Sequence, residues 1–225
     1  MTRASRSLLI PLVVAGLFGG CNDTTKPKTP TFSYTANDTP THAVSRLIQG
    51  YERRDESTYA AMLTGDFTYE FSNSTDPTLV NEYSAGWFKT DEAASSTHLF
   101  SGYTPQGGAT LPAATSIDIN FANDAPSDDP GSPDPATHKI LTTRVDGNIT
   151  VPQSGAEPLT YVIANNLNVL YLVRGDVATG LQASQPADAQ HWYVYHWVDL
   201  SEAAAGPSRA LTQTSTWGRV RGLYH

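Results

Sequence analysis

One cysteine, Cys21, stands in a chain of 225 residues. An intrachain disulfide is therefore excluded, and so is a metal cage built on cysteine. Charge is scarce as well: Asp, Glu, Lys and Arg make up 16% of the residues, and no basic run is longer than Arg53-Arg54. With a net charge of −8 and no basic stripe, the chain repels phosphate backbones, and nucleic acid is not expected as a partner. Long apolar runs are missing too. The N-terminal run Leu8–Phe18 falls well short of the ~20 residues that a membrane-spanning helix needs. The chain has no Gly-x-Ser-x-Gly elbow, no phosphate-binding glycine loop and no His-Glu-x-x-His pair, which removes three common catalytic frames. Its six histidines are scattered. His191 and His196 lie an odd number of positions apart on one strand-like run, so their side chains point to opposite faces and cannot share an ion. No metal and no cofactor are expected.

What replaces charge is Thr, Ser, Asn, Ala, Gly and Pro, a balance that fits an exported, β-rich protein. The length suits one sizeable domain. Arg3 and Arg6 precede the apolar run Leu8–Phe18, and Gly19-Gly20 follows it, which is the order of an export signal over residues 1–20. Leu17-Phe-Gly-Gly-Cys21 resembles the bacterial lipobox. That resemblance implies cleavage before Cys21 and lipid on its sulfur, hence a protein held to a membrane of the bacterial cell envelope, on its periplasmic or surface side. Residues 21–38 are rich in Thr, Lys and Pro and read as a disordered tether.

Residues 39–225 read as the folded domain. Thr39-Pro40 is a helix start, a hydroxyl cap before a proline. Val44, Leu47, Ile48 and Tyr51 then recur at the spacing of one buried helical face. Asp55 caps a second short helix with Tyr59, Met62 and Leu63 on its apolar side, and Gly65 is expected to stop it. Phe67–Phe71 alternates as a strand. Asp91 is expected to cap a third helix over Glu92–Leu99. Ser116–Phe121 alternates cleanly, with Ile117, Ile119 and Phe121 inward. His138–Val151 alternates with a hairpin turn expected at Asp146-Gly147. Leu159–Arg174 is apolar enough for a central strand, with a bend or bulge at Asn165-Asn166. The aromatic run Trp192–Leu200 and the run Leu211–Tyr224 read as two closing strands. Surface loops are expected near 72–86, 101–115 and 122–137. The last of these holds Asp124, Asp128, Asp129 and Asp134 without the ligand spacing of a calcium loop.

The stretch Leu47–Phe71 contains Arg54-Asp55, Tyr59, Leu63 and Asp66-Phe67 in the order helix, short helix, strand. It resembles the opening of nuclear-transport-factor-2-like (NTF2-like, SnoaL-like) domains. Trp197–Leu200 and Trp217–Tyr224 are similar to the closing strands of lipoproteins that carry this domain. The resemblance implies an α+β fold: a strongly curved mixed or antiparallel sheet of about six strands, with the N-terminal helices on its concave face, enclosing a cone. It also implies an exposed sheet face through which two copies can pair as a homodimer.

In enzymatic relatives, as the resemblance implies, a carboxylate in the cone works with a histidine or tyrosine in proton transfer. The residues of this chain that could do so are Asp199, Asp118 and His196, with Tyr195 as a further partner, and such a carboxylate would need a pKa raised by burial. The competing reading has Asp199 ending a strand, capping a turn or pairing with Arg219 or Arg221. Tyr59, Phe71, Trp87, Tyr195 and Trp197 are candidates to line the cone, or to form plain core. Three functions stay open: a non-enzymatic module binding a small molecule or an envelope protein, an isomerase, dehydratase or cyclase using an aspartate, and a structural dimer whose cone is filled by its own side chains.

Overall fold

A computed structural model describes residues 32–74, 77–202 and 212–225. The expected signal peptide, the lipobox-like stretch ending at Cys21 and most of the expected tether lie outside the described residues. From Tyr34 onward the chain forms one unit.

The first helix, α1 (Pro40–Glu52), begins where its cap demands: the Thr39 hydroxyl accepts from the His42 N–H at 3.1 Å. Ala43, Val44, Leu47 and Tyr51 are buried along one side. Gly50 is buried on that side as well, because a side chain there would meet the Tyr59 backbone at 2.9 Å. The helix ends in a left-handed turn at Arg54 (φ 56°), whose N–H donates to the Tyr51 carbonyl while the Asp55 N–H donates to the Gly50 carbonyl. This is a Schellman stop, here with arginine in place of glycine. Asp55 then caps α2 (Glu56–Ala60) by accepting from the Thr58 N–H at 3.1 Å.

The first strand, β1 (Leu63–Glu70), starts earlier than expected. Gly65 lies inside it and does not stop α2, which has already ended at Ala60. The room at Gly65 serves another purpose: a Cβ there would fall 2.2 Å from the Gly180 carbonyl oxygen, so the two glycines let a loop cross the strand in contact. Within the expected loop 72–86 the chain forms a short helix, α3 (Pro77–Glu82). The two-residue strand β2 (Trp87–Phe88) leads into α4 (Lys89–Ser101). Asp91 sits in the first turn of α4 and accepts from the Phe88 N–H at 2.8 Å, so the helix begins before Asp91 and not after it.

The remaining strands are β3 (Ser116–Asn123), β4 (Ser127–Asp128), β5 (His138–Gln153), β6 (Ala156–Arg174), β7 (Trp192–Asp199) and β8 (Thr212–Ser215). They form one curved, open, eight-stranded sheet in the order β2-β1-β7-β6-β5-β3, with β4 beside β5 and β8 beside β6. Two pairings are parallel, β1 with β7 and β6 with β8, and the rest are antiparallel. The α+β class and the curved mixed sheet agree with the expectation, with two short strands added to the six in continuous order. The helix α1 packs on β3, β5 and β7, and α4 packs on β1.

The hairpin turn is not at Asp146-Gly147. β5 runs through that dipeptide, and the turn falls at Ser154-Gly155, where Gly155 takes φ +71°. The β5–β6 register slips instead at Asp146, between Val145 and Gly147, opposite Ala164 and Asn165; Asn165 adopts φ 52° and donates its N–H to the Asp146 carboxylate at 2.7 Å. The bulge expected at Asn165-Asn166 thus lies there, and it bends both long strands at one point. Gly147 is needed because a Cβ would come within 2.4 Å of the Asp118 carbonyl oxygen. Gly147→Ala is expected to cost about 1–3 kcal/mol from that overlap, measurable as a drop in Tm against wild type.

The run Leu211–Tyr224 is not one strand. Only Thr212–Ser215 pairs, along Thr160–Ile163 of β6. The Thr216 hydroxyl then accepts from the Arg219 N–H at 3.0 Å and opens a helix, α5 (Trp217–Leu223). Trp217, Val220, Arg221 and Tyr224 are all buried, and their spacing is that of one helical face. Two smaller corrections concern loops. Asn37, expected in the tether, is buried, donates its side-chain amide to the Trp192 carbonyl, and accepts the Trp192 N–H on its own carbonyl at 2.8 Å. Asp129, expected in a solvated acidic loop, is buried and accepts from the Tyr195 hydroxyl and the Gly131 N–H, both at 2.8 Å.

Candidate functional site

The interior between helices and sheet converges on two charged groups. Glu92 projects from α4 and Arg221 from α5, and each side chain is only 1% exposed. The Arg221 Nη1 lies 3.2 Å from the Glu92 Oε2, and its Nη2 donates to the Tyr59 hydroxyl at 2.9 Å. That hydroxyl donates in turn to the Glu92 Oε1 at 2.5 Å, and the Trp87 indole N–H donates to the Oε2 at 3.0 Å. The guanidinium carbon lies 4.1, 4.6 and 4.9 Å from the ring centroids of Trp197, Tyr69 and Trp217. Pairing, two added donors on the carboxylate and three aromatic faces compensate a charge pair whose desolvation would otherwise be costly. Burial works against the Arg221 charge, yet the adjacent Glu92 and tyrosine oxygens hold its pKa above the ordinary arginine value. Burial, joined by the Glu92 charge, pushes the Tyr59 phenol well above its usual pKa, so it stays a donor.

The ring set is closed around this clasp. Tyr51 meets Tyr59, Phe100 and Trp217 at centroid distances of 5.1, 5.0 and 4.7 Å, and Trp197 stacks on Trp217 at 6.0 Å and 15°. Trp87, Trp197, Trp217, Tyr51, Tyr59 and Arg221 are among the largest fully buried side chains of the protein. The centre of the helix-backed sheet is therefore filled by the chain itself.

The three candidate proton-transfer residues are not brought together. Asp199 ends β7, is buried, and accepts from the Ser201 N–H at 2.8 Å and the Tyr69 hydroxyl at 3.3 Å. That is a turn cap, with Gly218 so close that a Cβ there would fall 2.9 Å from the carboxylate. Asp118 is exposed on β3. His196 bonds to the Thr68 hydroxyl at 2.7 Å, lies 3.4 Å from Glu70, and neighbours Trp197 on β7, so the two side chains take opposite faces. Of the residues expected to line the cone, Tyr59, Phe71, Trp87 and Trp197 are buried in the core cluster. Tyr195 is not: it lies on the other face with Tyr171 and His138, and its hydroxyl reaches Asp129. Among the described residues no group of three or more His, Cys, Asp or Glu could hold a metal ion, and no helix is long and apolar enough to cross a membrane.

Sequence reasoning missed Glu92 and Arg221 as a pair. The burial that places each inward is a property of the folded helices and not of an apolar stripe in the sequence. Glu92, Ser95, Ser96 and Leu99 are buried together at helical spacing, which marks Glu92 as an inward residue of α4. Arg221 falls on the buried face of α5 in the same way.

Among the described residues, depressions open on the surface at two places of interest. A groove of about 630 Å³ runs past Leu111, Pro112, Val151, Leu159, Tyr161 and Tyr224, beside the β5–β6 turn. A smaller pocket of about 210 Å³ lies between α1, the segment joining α2 to β1, and the loop before β7.

No protein-family model matches the chain, and no curated protein matches it. Solved structures do. A ketosteroid isomerase-like protein from Erwinia carotovora atroseptica is similar at TM-score 0.42 and 11% identity, over 74% of this chain and 94% of that one. A nuclear transport factor 2 (NTF2-like) superfamily protein from Salmonella enterica serovar Typhimurium is similar at TM-score 0.42 and 7% identity, over 74% and 90%. The CamKII hub homology domain of the alga Chlamydomonas reinhardtii is similar at TM-score 0.39 and 12% identity, over 73% and 95%. The solved structures to which the chain is similar include NTF2-like ones.

Proposed function

We propose that the protein is a non-enzymatic binding module, held to the bacterial cell envelope by lipid on Cys21, that takes a small apolar molecule in the groove beside the β5–β6 turn. The observation that carries the first part is the filled interior. A substrate has no room beside Glu92 and Arg221, and Asp199 is occupied as a turn cap. The observation that favours the groove is its wall of Leu111, Pro112, Val151, Leu159 and two tyrosine rings, in a volume suited to a small organic ligand. The lipobox resemblance and the Thr/Lys/Pro-rich tether support the anchoring.

The test uses the fluorescent probe 8-anilinonaphthalene-1-sulfonate. Tyr161→Ala is expected to weaken its binding about ten- to a hundredfold, the worth of one well-covered aromatic side chain. Tyr171→Ala, outside the groove, is expected to leave it unchanged. Equal binding by wild type and Tyr161→Ala would reject the groove. Mass spectrometry of the protein extracted from membranes tests the anchor separately: an N-terminus at Cys21 carrying diacylglycerol supports it, and an unmodified thiol rejects it.

The filled interior equally suits a structural module that pairs through its sheet face, where Tyr171, Tyr195 and His196 are half-buried. Sedimentation at high concentration separates the two: a monomer removes the dimeric reading.

A further inference from the structure

The smaller pocket contains a cation without a counter-charge. Arg46 projects from α1 into the 210 Å³ space, which Asn37, Met62, Gln185, Pro186 and His191 help to line. Among the described residues the Arg46 side chain makes no ion pair. Its Nε is buried and meets no hydrogen-bond partner among the described residues, and the Tyr34 ring centroid lies 6.0 Å from its guanidinium carbon. The nearby carboxylates are already engaged: Asp188 by the His191 Nδ1 at 2.7 Å, and Asp38 by the His42 Nδ1 at 2.6 Å. The other polar linings are tied into the fold. Gln185 donates to the Ala61 and Leu63 carbonyls, and Asn37 to the Trp192 carbonyl. The pocket's walls are thus held rigid while its guanidinium is left over.

We propose that this pocket binds a small aliphatic carboxylate, with Arg46 as the residue that holds the carboxylate group and Met62 and Pro186 covering the alkyl part. A planar guanidinium fork matches a carboxylate with two parallel hydrogen bonds, and such charge-assisted bonds are the strong ones. The volume equals roughly seven water molecules, which admits an acid of a few carbons. This site is separate from the groove proposed above, so either can fail without the other.

The probe is sodium butyrate, titrated into the full chain at constant ionic strength with sodium chloride as the balancing salt, and followed by calorimetry. Saturable binding is expected for butyrate and not for butyramide, its uncharged counterpart. Arg46→Gln is expected to weaken butyrate binding at least about tenfold, while Arg144→Gln, on an exposed strand position, leaves it unchanged. Arg46→Lys retains charge without the fork and is expected to fall between the two. No heat with butyrate, equal binding of butyramide, or a phosphate that binds where butyrate does not would each overturn the proposal. The butyramide comparison uses wild type alone and holds even if Arg46→Gln does not fold.

Discussion

Glu92→Ala is expected to destabilise the domain by about 3–5 kcal/mol, the cost of leaving one partner of a buried ion pair charged and alone. The stranded group is the Arg221 guanidinium, 1% exposed, and the Tyr59 hydroxyl and Trp87 indole N–H lose their acceptor at the same time. For a chain of this length a kcal/mol corresponds to roughly 2–4 °C, so thermal denaturation should show a Tm lower by about 10 °C. The double variant Glu92→Met/Arg221→Met separates charge from packing. With both charges removed and the volume largely kept, it is expected to be more stable than Glu92→Ala. A double variant weaker than either single change would mean that the pair contributes more than it costs to bury.

Trp197→Ala is the second large effect, also about 3–5 kcal/mol. Its ring lies against Arg221, Tyr69, Phe121 and Trp217, and its indole N–H donates to the Asn168 Oδ1 at 2.8 Å. Truncation leaves a hole at the centre and an orphaned buried amide oxygen. The hole has a specific readout. Indole added in excess should raise the Tm of Trp197→Ala by refilling the space, since a ligand that binds only the folded state stabilises it, and should leave wild type unaffected. A wild-type response of similar size would show that the interior already had room.

The elements legible in the sequence are those whose signal is local. Thr39-Pro40 with Val44, Leu47 and Tyr51 marks α1, because a cap and a repeat lie within four turns. Ile117, Ile119 and Phe121 mark β3, because only one face is buried. The two asparagines at 165–166 mark the bulge, since a left-handed residue is needed there. The C-terminal run reads as a strand, and its second half folds as a helix for a physical reason. Thr212–Ser215 is polar and β-branched, and Trp217, Arg219 and Arg221 alternate as a strand would. Trp217, Val220, Arg221 and Tyr224 also follow a helix, and the helix prevails because it delivers Arg221 to Glu92. Asp146-Gly147 carries the composition of a tight turn, yet its glycine is there for the closeness of β3.

The site was less legible than the fold. Asp199 could be placed at the end of a strand, but its partners Tyr69 and Ser201 could not all be named from its own run. Tyr195 and Trp197 lie two positions apart, so an unbroken pleat would set both on one face; the β6–β7 register shifts at Tyr195, and that bulge turns Tyr195 toward Asp129 while Trp197 enters the core. The Glu92–Arg221 clasp joins segments from the middle and the end of the chain, and no local pattern links them.

The claim on which this account rests is that the chain fills its own cone around that clasp. A crystal structure at a resolution that places side chains tests it most directly. The account predicts Arg221 ion-paired with Glu92 and hydrogen-bonded to Tyr59, with the rings of Trp197, Tyr69 and Trp217 against the guanidinium and no solvent channel reaching it. An open, water-filled cavity beside Asp199, with Arg221 turned away from Glu92, would contradict it and return the enzymatic reading to the front.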